Sequence, residues 1–237
     1  MKTFIKRLTR VLGWMFILLL LPANIFAQGA GLRIVPPKFE LFGNPGDVIT
    51  ETLRVKNVSP IPLALAVLIE DFSSTGEQGN VVLEEGESDE AYSLKKWIEL
   101  ESDNIVIQPD EEIVYPFTIT VPSDADPGGH YASILFQIGG DEQIPGTASV
   151  QHRIGSLVLL RVSGNVVEDA EIETFKAPSY SQKGPIEFEL RVQNNGTTHI
   201  RPAGTIVITN LFGKKIDEIP LNGQNVFPGS VRKMTTE

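Results

Sequence analysis

Three histidines, His130, His152 and His199, are the only imidazoles in the chain, and no thiol accompanies them because there is no cysteine. Nucleophilic catalysis therefore has to come from a serine with a positioned base, yet no G-x-S-x-G elbow surrounds any serine. Phosphate chemistry lacks a G-x-x-x-x-G-K loop, and zinc chemistry lacks an H-E-x-x-H pair. The histidines fall in separate strands or turns, where a lone imidazole is structural or merely exposed. Carboxylate pairs such as Glu84 with Glu85, or Asp141 with Glu142, are adjacent acids on polar loops. Glycoside hydrolysis instead needs two carboxyls fixed across a cleft. The segment Asp124-Ala-Asp126-Pro-Gly-Gly-His130 has the spaced acids and late glycine of a calcium loop, but its fifth position is Gly128 and its twelfth is Leu135. It lacks the third oxygen ligand and the bidentate Glu, so a tight Pro-Gly-Gly turn between two strands is expected there.

No catalytic residue, cofactor-binding residue, metal ligand or cofactor is expected from these patterns. Candidate ligand-binding residues reduce to Trp97, His130 and Tyr131. Trp97, in Leu94-Lys-Lys-Trp-Ile-Glu-Leu100, either plugs a core or forms an exposed platform for sugars.

The elements that must position these residues are strands. Ile113, Tyr115, Phe117, Ile119 and Val121 alternate with smaller or polar neighbours at period two, which places them on one face of a strand. Pro116 within that run lacks a ladder donor and belongs at an edge or bulge. Leu63, Leu65, Val67 and Ile69 alternate too, with Ala64, Ala66 and Leu68 between them, so that strand is apolar on both faces and central. Ala132, Ile134, Phe136 and Ile138 mark another strand, and Leu157 to Val162 a nearly continuous one. Between Ser73 and Ser93 the composition turns to Gly, Glu, Ser and Asp, read as a long exposed loop. No helical periodicity with caps appears beyond the N-terminal segment.

That N-terminal segment has Lys2, Lys6, Arg7 and Arg10, then the apolar run Val11 to Leu21, then Pro22-Ala-Asn-Ile-Phe-Ala27. It reads as a secretory signal peptide, residues 1–27, with cleavage after Ala27. The apolar run of 11 residues is short against the roughly 20 that span a bilayer. The remaining chain carries 16 basic and 30 acidic side chains, a formal charge of −14, which disfavours nucleic acid and anionic lipid partners.

An internal echo organises the rest. Thr52-Leu-Arg-Val-Lys-Asn57 recurs as Glu189-Leu-Arg-Val-Gln-Asn194, each Asn ending a strand where it can satisfy free backbone groups. Pro109-Asp-Glu-Glu-Ile likewise has a counterpart in Pro228-Gly-Ser-Val-Arg. The echo predicts an all-β chain of two immunoglobulin-like β-sandwich domains in tandem after the signal peptide, residues 28–165 and 166–237. The second is expected to be incomplete, its missing strands supplied by a longer gene product or by a partner.

Pro36-Pro-Lys-Phe-Glu-Leu-Phe-Gly-Asn-Pro-Gly46, the Leu-Arg-Val-Lys-Asn strand, Asp71-Phe72, Trp97, Pro122 and Pro127-Gly-Gly-His-Tyr-Ala132 occur in that order. Set together they resemble the WxL-interacting protein family of Gram-positive surface proteins. Asn194-Asn-Gly through Pro202-Ala-Gly204 and Pro228-Gly-Ser-Val-Arg232 are similar to its second domain. The resemblance implies a first domain that binds peptidoglycan, a second that engages WxL-type surface proteins or host proteins, and a C-terminal membrane helix. This sequence ends before such a helix, so membrane attachment would come through an uncleaved signal or through residues beyond Glu237.

The expectation is thus a non-enzymatic, exported protein, secreted or on the extracellular face of the envelope, that binds peptidoglycan or another cell-wall polymer, or scaffolds surface proteins. The alternative is a periplasmic chaperone-like two-domain protein that donates a strand to a partner subunit. No basic pair placed to clamp a subunit's terminal carboxylate is evident in the linear sequence.

Overall fold

The computed structural model describes residues 31–84, 91–139, 152–178 and 184–236. The signal segment, the acidic run 85–90 and the Asp141–Glu142 pair lie outside the described residues. Strands account for nearly all of the regular structure: β1 (Leu32–Val35), β2 (Lys38–Gly43), β3 (Val48–Asn57), β4 (Leu63–Thr75), β5 (Asn80–Glu84), β6 (Ile98–Leu100), β7 (Asn104–Ile107), β8 (Glu112–Thr120), β9 (Gly128–Ile138) and β10 (His152–Val162), then β11 (Ala170–Lys176), β12 (Phe188–Asn194), β13 (Thr205–Thr209), β14 (Lys215–Pro220) and β15 (Val231–Thr236). Among the described residues a single 3-10 turn, Lys95–Trp97, precedes β6.

The chain is all-β, two immunoglobulin-like sandwiches in tandem. In the first, a sheet ordered β1-β3-β8-β6 faces a sheet ordered β2-β10-β9-β4-β5, with β7 also on β4. Period-two side chains from both sheets meet between them. Leu53, Val55, Tyr115, Phe117 and Ile119 come from one face, and Leu65, Val67, Ile134, Phe136, Val158 and Leu160 from the other, all 2 % exposed or less. Ring pairs bridge the layers edge to face, Phe39 to Phe117 at 5.2 Å and Tyr115 to Phe136 at 5.5 Å, an arrangement that adds to simple area burial. Pro116 lies opposite Thr52 of β3, one residue beyond the Leu100–Phe117 pair where β6 stops. One edge of β8 is therefore open at that position, as a residue without an N–H requires.

The second sandwich consists of β11-β12-β15 and the hairpin β13-β14, around Leu190, Val192, Val226 and Met234. The echo seen in sequence is an echo in bonding. The Asn57 amide nitrogen donates to the carbonyls of Ile61 and Ile107, and its side-chain oxygen accepts from Ser59 N–H. Asn194 donates to Thr198 and Val226, and accepts from Gly196 N–H. The turn that closes each motif is also the same: Asn57 N–H meets Glu111 O and Asn194 N–H meets Ser230 O. One left-handed residue sits in each turn, Asp110 at φ 60° and Gly229 at φ 69°.

Two expectations about local structure need correction. Residues 73–84 are not a loop but the arm of a hairpin, with Asp71–Thr75 paired to Asn80–Glu84. Their polarity reflects the arm's exposure on either side of the ladder rather than an inability to pair. The Pro-Gly-Gly segment is not only a turn. Gly128 and Gly129 open β9, whose first ten residues are buried on both faces. The outer face of β9 near Tyr131 is dry because the second sandwich sits on it.

Candidate functional site

The junction between the sandwiches collects the side chains with chemical potential. A Cβ on Gly128 would meet the Thr197 carbonyl at 2.6 Å, and one on Gly129 would meet the Tyr131 hydroxyl at 1.9 Å. Only glycine allows so close an approach, and through it Gly129 N–H donates to Thr197 O at 2.9 Å. Tyr131, 4 % exposed, accepts the His199 N–H at 2.8 Å and lies 3.3 Å from His199 Nδ1. Phe227 packs edge-on against both Tyr131 (5.0 Å) and Phe72 (5.6 Å). Burial pushes the Tyr131 phenol far above its ordinary range. Burial also holds the His199 imidazole below its ordinary value, opposed by Glu40 and reinforced by Lys38 and Arg161.

The hairpin arm adds a second tie. Glu77 accepts Lys233 N–H on its carbonyl at 2.8 Å and Arg191 Nε on its carboxylate at 2.7 Å. Asn225 reaches Glu40 of β2 at 2.9 Å. Bonds from Lys38 and Asn225 lower the Glu40 carboxyl below its usual value.

Each residue singled out from sequence has a definite place. His130 is 3 % exposed, with Nδ1 3.3 Å from Ser93 O and Nε2 3.0 Å from Asp126 O. Trp97 is half-buried on the first core, its ring 4.3 Å from that of His130. Trp97 and His130 pack on each other, and Tyr131 points the other way, into the junction. Asp124 and Asp126 are exposed on their turn, and no group of three metal-ligating side chains occurs among the described residues. His152 is exposed on β10 and His199 belongs to the junction.

Two clefts flank the junction, and sequence reasoning missed both. One, of about 580 Å³, lies between the hairpin arm and residues 227–231. The other, of about 300 Å³, brings together Lys38 from β2, Arg201 from the segment before β13, and Arg232 from β15. Lys38 is paired with Glu40 at 2.5 Å, Arg201 Nε donates to Gly223 O, and Arg232 donates to Gln224. Each cation keeps further N–H groups for an incoming anion. Lys38 lies more than 160 residues before the two arginines in sequence, so no linear motif announced them.

The edge of β10 is the remaining feature. β2 runs parallel to β10 only along Leu157–Val162, whereas β9 pairs with it from His152 onward. Leu157 N–H points away from β9 to Pro37 O at 3.1 Å, as Ser163 N–H does to Gly43 O. Alternate residues share that direction, so Gly155 aims its N–H and C=O to the same side, ahead of the point where β2 begins to pair with β10. The neighbouring Ile154 is 39 % exposed.

No family model matches this chain, and no curated protein does. Solved structures do. A chain of a chaperone–tip adhesin complex of CFA/I fimbriae is similar at 12% identity, with 86% of this chain and 85% of that one covered and a TM-score of 0.48. The class 5 fimbriae chaperone CfaA gives 12%, 85%, 84% and 0.47. A chain of the CsuC–CsuE chaperone–tip adhesion subunit complex of Acinetobacter baumannii gives 14%, 88%, 88% and 0.46. The expectation of a wall-binding module, with peptidoglycan, another cell-wall polymer, WxL-type surface proteins or host proteins as partners, is corrected here. The solved structures similar to the chain include fimbrial chaperones and their subunit complexes, and Trp97, the sugar-platform candidate, is half-buried with its ring against His130.

Proposed function

We propose that this chain is an exported, periplasmic, non-enzymatic chaperone-like protein that adds β10 to the sheet of a partner subunit. The observation that carries the reading is the stretch of β10 ahead of its ladder with β2, where Gly155 turns its backbone N–H and C=O to the edge beside the exposed Ile154. Such an edge is a template for another chain's strand, and backbone bonds give affinity while alternate side chains give specificity. A structural subunit waiting for assembly, with a sheet lacking one strand, is the partner that matches it. The cleft of Lys38, Arg201 and Arg232 lies beside the junction and is suited to a carboxylate, which a subunit's C-terminus supplies. The junction bonds tie the sandwich that carries Arg201 and Arg232 to the one that carries Lys38 and β10.

The test places a photo-crosslinking residue at Ile154 in the native cell. A crosslink to a β-rich exported subunit is expected, with the Gly155 amide protected from hydrogen exchange in the purified complex. Deleting this chain should lower that subunit's level. Crosslinks to glycan strands, or exchange at the Gly155 amide unchanged by the bound subunit, would refute the reading.

A further inference from the structure

The larger cleft does not belong to the β10 edge and carries a different chemistry. Its volume of about 580 Å³ falls within the range of small-molecule sites. Phe72, Tyr92, Tyr131 and Phe227 form the apolar wall, while the charged lining is Asp71, Glu77 and Glu84, with no Lys, Arg or His among the lining residues. Asp71 and Glu84 are direct register partners on β4 and β5. Their side chains therefore leave the ladder on one face, and like charges directly opposite destabilise a strand pair. A cation between them removes that repulsion.

The surroundings restrict what kind of cation fits. Asp71 is 5 % exposed and already accepts Ser93 Oγ and the N–H groups of Leu94 and Lys95, and Glu77 holds Arg191. With no cluster of three metal-ligating side chains among the described residues, a bare divalent ion is poorly served. A primary ammonium needs only one or two carboxylates, and its hydrocarbon chain gains from lying along ring faces such as the Tyr92–Tyr131 stack at 6.4 Å, with cation–π attraction added. We propose that this cleft binds an alkylammonium group through Glu84 and the Tyr92 ring, delivered either as a free diamine or as a lysine side chain of a protein partner.

The test titrates the full mature chain, labelled for NMR, with 1,5-diaminopentane, N-acetyl-lysine methylamide, 1-pentanol and calcium chloride in parallel. Saturable shifts confined to Glu84, Tyr92, Phe227 and Ser230 are expected for one or both amines, with 1-pentanol at least about tenfold weaker. Tighter binding of the lysine derivative assigns the site to a partner's side chain, and tighter binding of the diamine assigns it to a metabolite; both support the proposal. Glu84→Gln should weaken the amines about tenfold and raise the thermal midpoint of the free protein by removing the opposed charges, and Tyr92→Leu should weaken them without that rise. Lys38→Ala, in the other cleft, should change neither. Equal binding of 1-pentanol, calcium causing the same shifts at lower concentration, or an unaltered Glu84→Gln titration would overturn the assignment, whatever the outcome at the β10 edge.

Discussion

Replacing Ile154 by alanine tests the β10 edge at its exposed apolar side chain. Ile154 is 39 % exposed and pairs with Phe136 of β9 through the backbone, so alanine there removes no bond of the β9–β10 ladder. Covering a whole Ile side chain contributes about 1.5–3 kcal/mol. The 39 % still open leaves about 0.6–1.2 kcal/mol for an incoming strand to gain, or roughly 3- to 8-fold in affinity. Calorimetric titration with the subunit recovered by crosslinking should show Ile154→Ala weaker by that factor, with Ile154→Leu, which keeps the apolar volume, close to wild type. Urea unfolding of the free variants reports separately the loss of the part already buried, about 1–2 kcal/mol for alanine. Equal affinities for wild type and the alanine variant would show that Ile154 is not covered and that strand addition at this edge is wrong.

Asn57→Ala and Asn194→Ala should each cost about 2–4 kcal/mol in urea unfolding, because each strands two carbonyls and an N–H in fully buried sites; a loss below about 1 kcal/mol at either would refute their shared role. Asp110→Gly should be nearly neutral in the same assay, since relief of the left-handed φ of 60° is offset by unfolded-chain entropy, while Asp110→Ala should lose about 1 kcal/mol. The folded His199 is held below its unfolded value of 6.5 by burial, so the unfolded chain binds the proton first. Stability should be full above about pH 6.5 and decline as pH falls toward the folded value, before the carboxylates titrate. Measured unfolding free energies across pH 5 to 7.5 should show this slope, and His199→Phe should flatten it.

The sandwiches were legible because their determinants are local. Alternation at Ile113 to Val121 and the repeated Leu-Arg-Val strand specify faces and ends of strands, and the two asparagines act where the turns need them. The junction was not legible. Gly128 and Gly129 look in sequence like any turn glycines, and the Thr197 carbonyl they admit lies far along the chain. The hairpin arm was hidden because its solvated side chains resemble a loop, while its ladder bonds are made by backbone, which carries no side-chain signal. The resemblance to a wall-binding family rested on proline, glycine and asparagine at turns. Those residues report how strands are connected and say nothing about which surfaces remain uncovered. The cationic cleft depends on Lys38, Arg201 and Arg232 meeting only after both sandwiches dock.

Because β9 is covered on one side by the first core and on the other by the neighbouring sandwich, it works as a beam common to two rooms. Leu159 of β10, its partner in the ladder, stands opposite Tyr131 and shares an apolar cluster with Phe72 and Phe227. A captured strand should therefore be felt at the far wall, so that ring-current shifts around Phe227 would register its arrival as promptly as the edge itself.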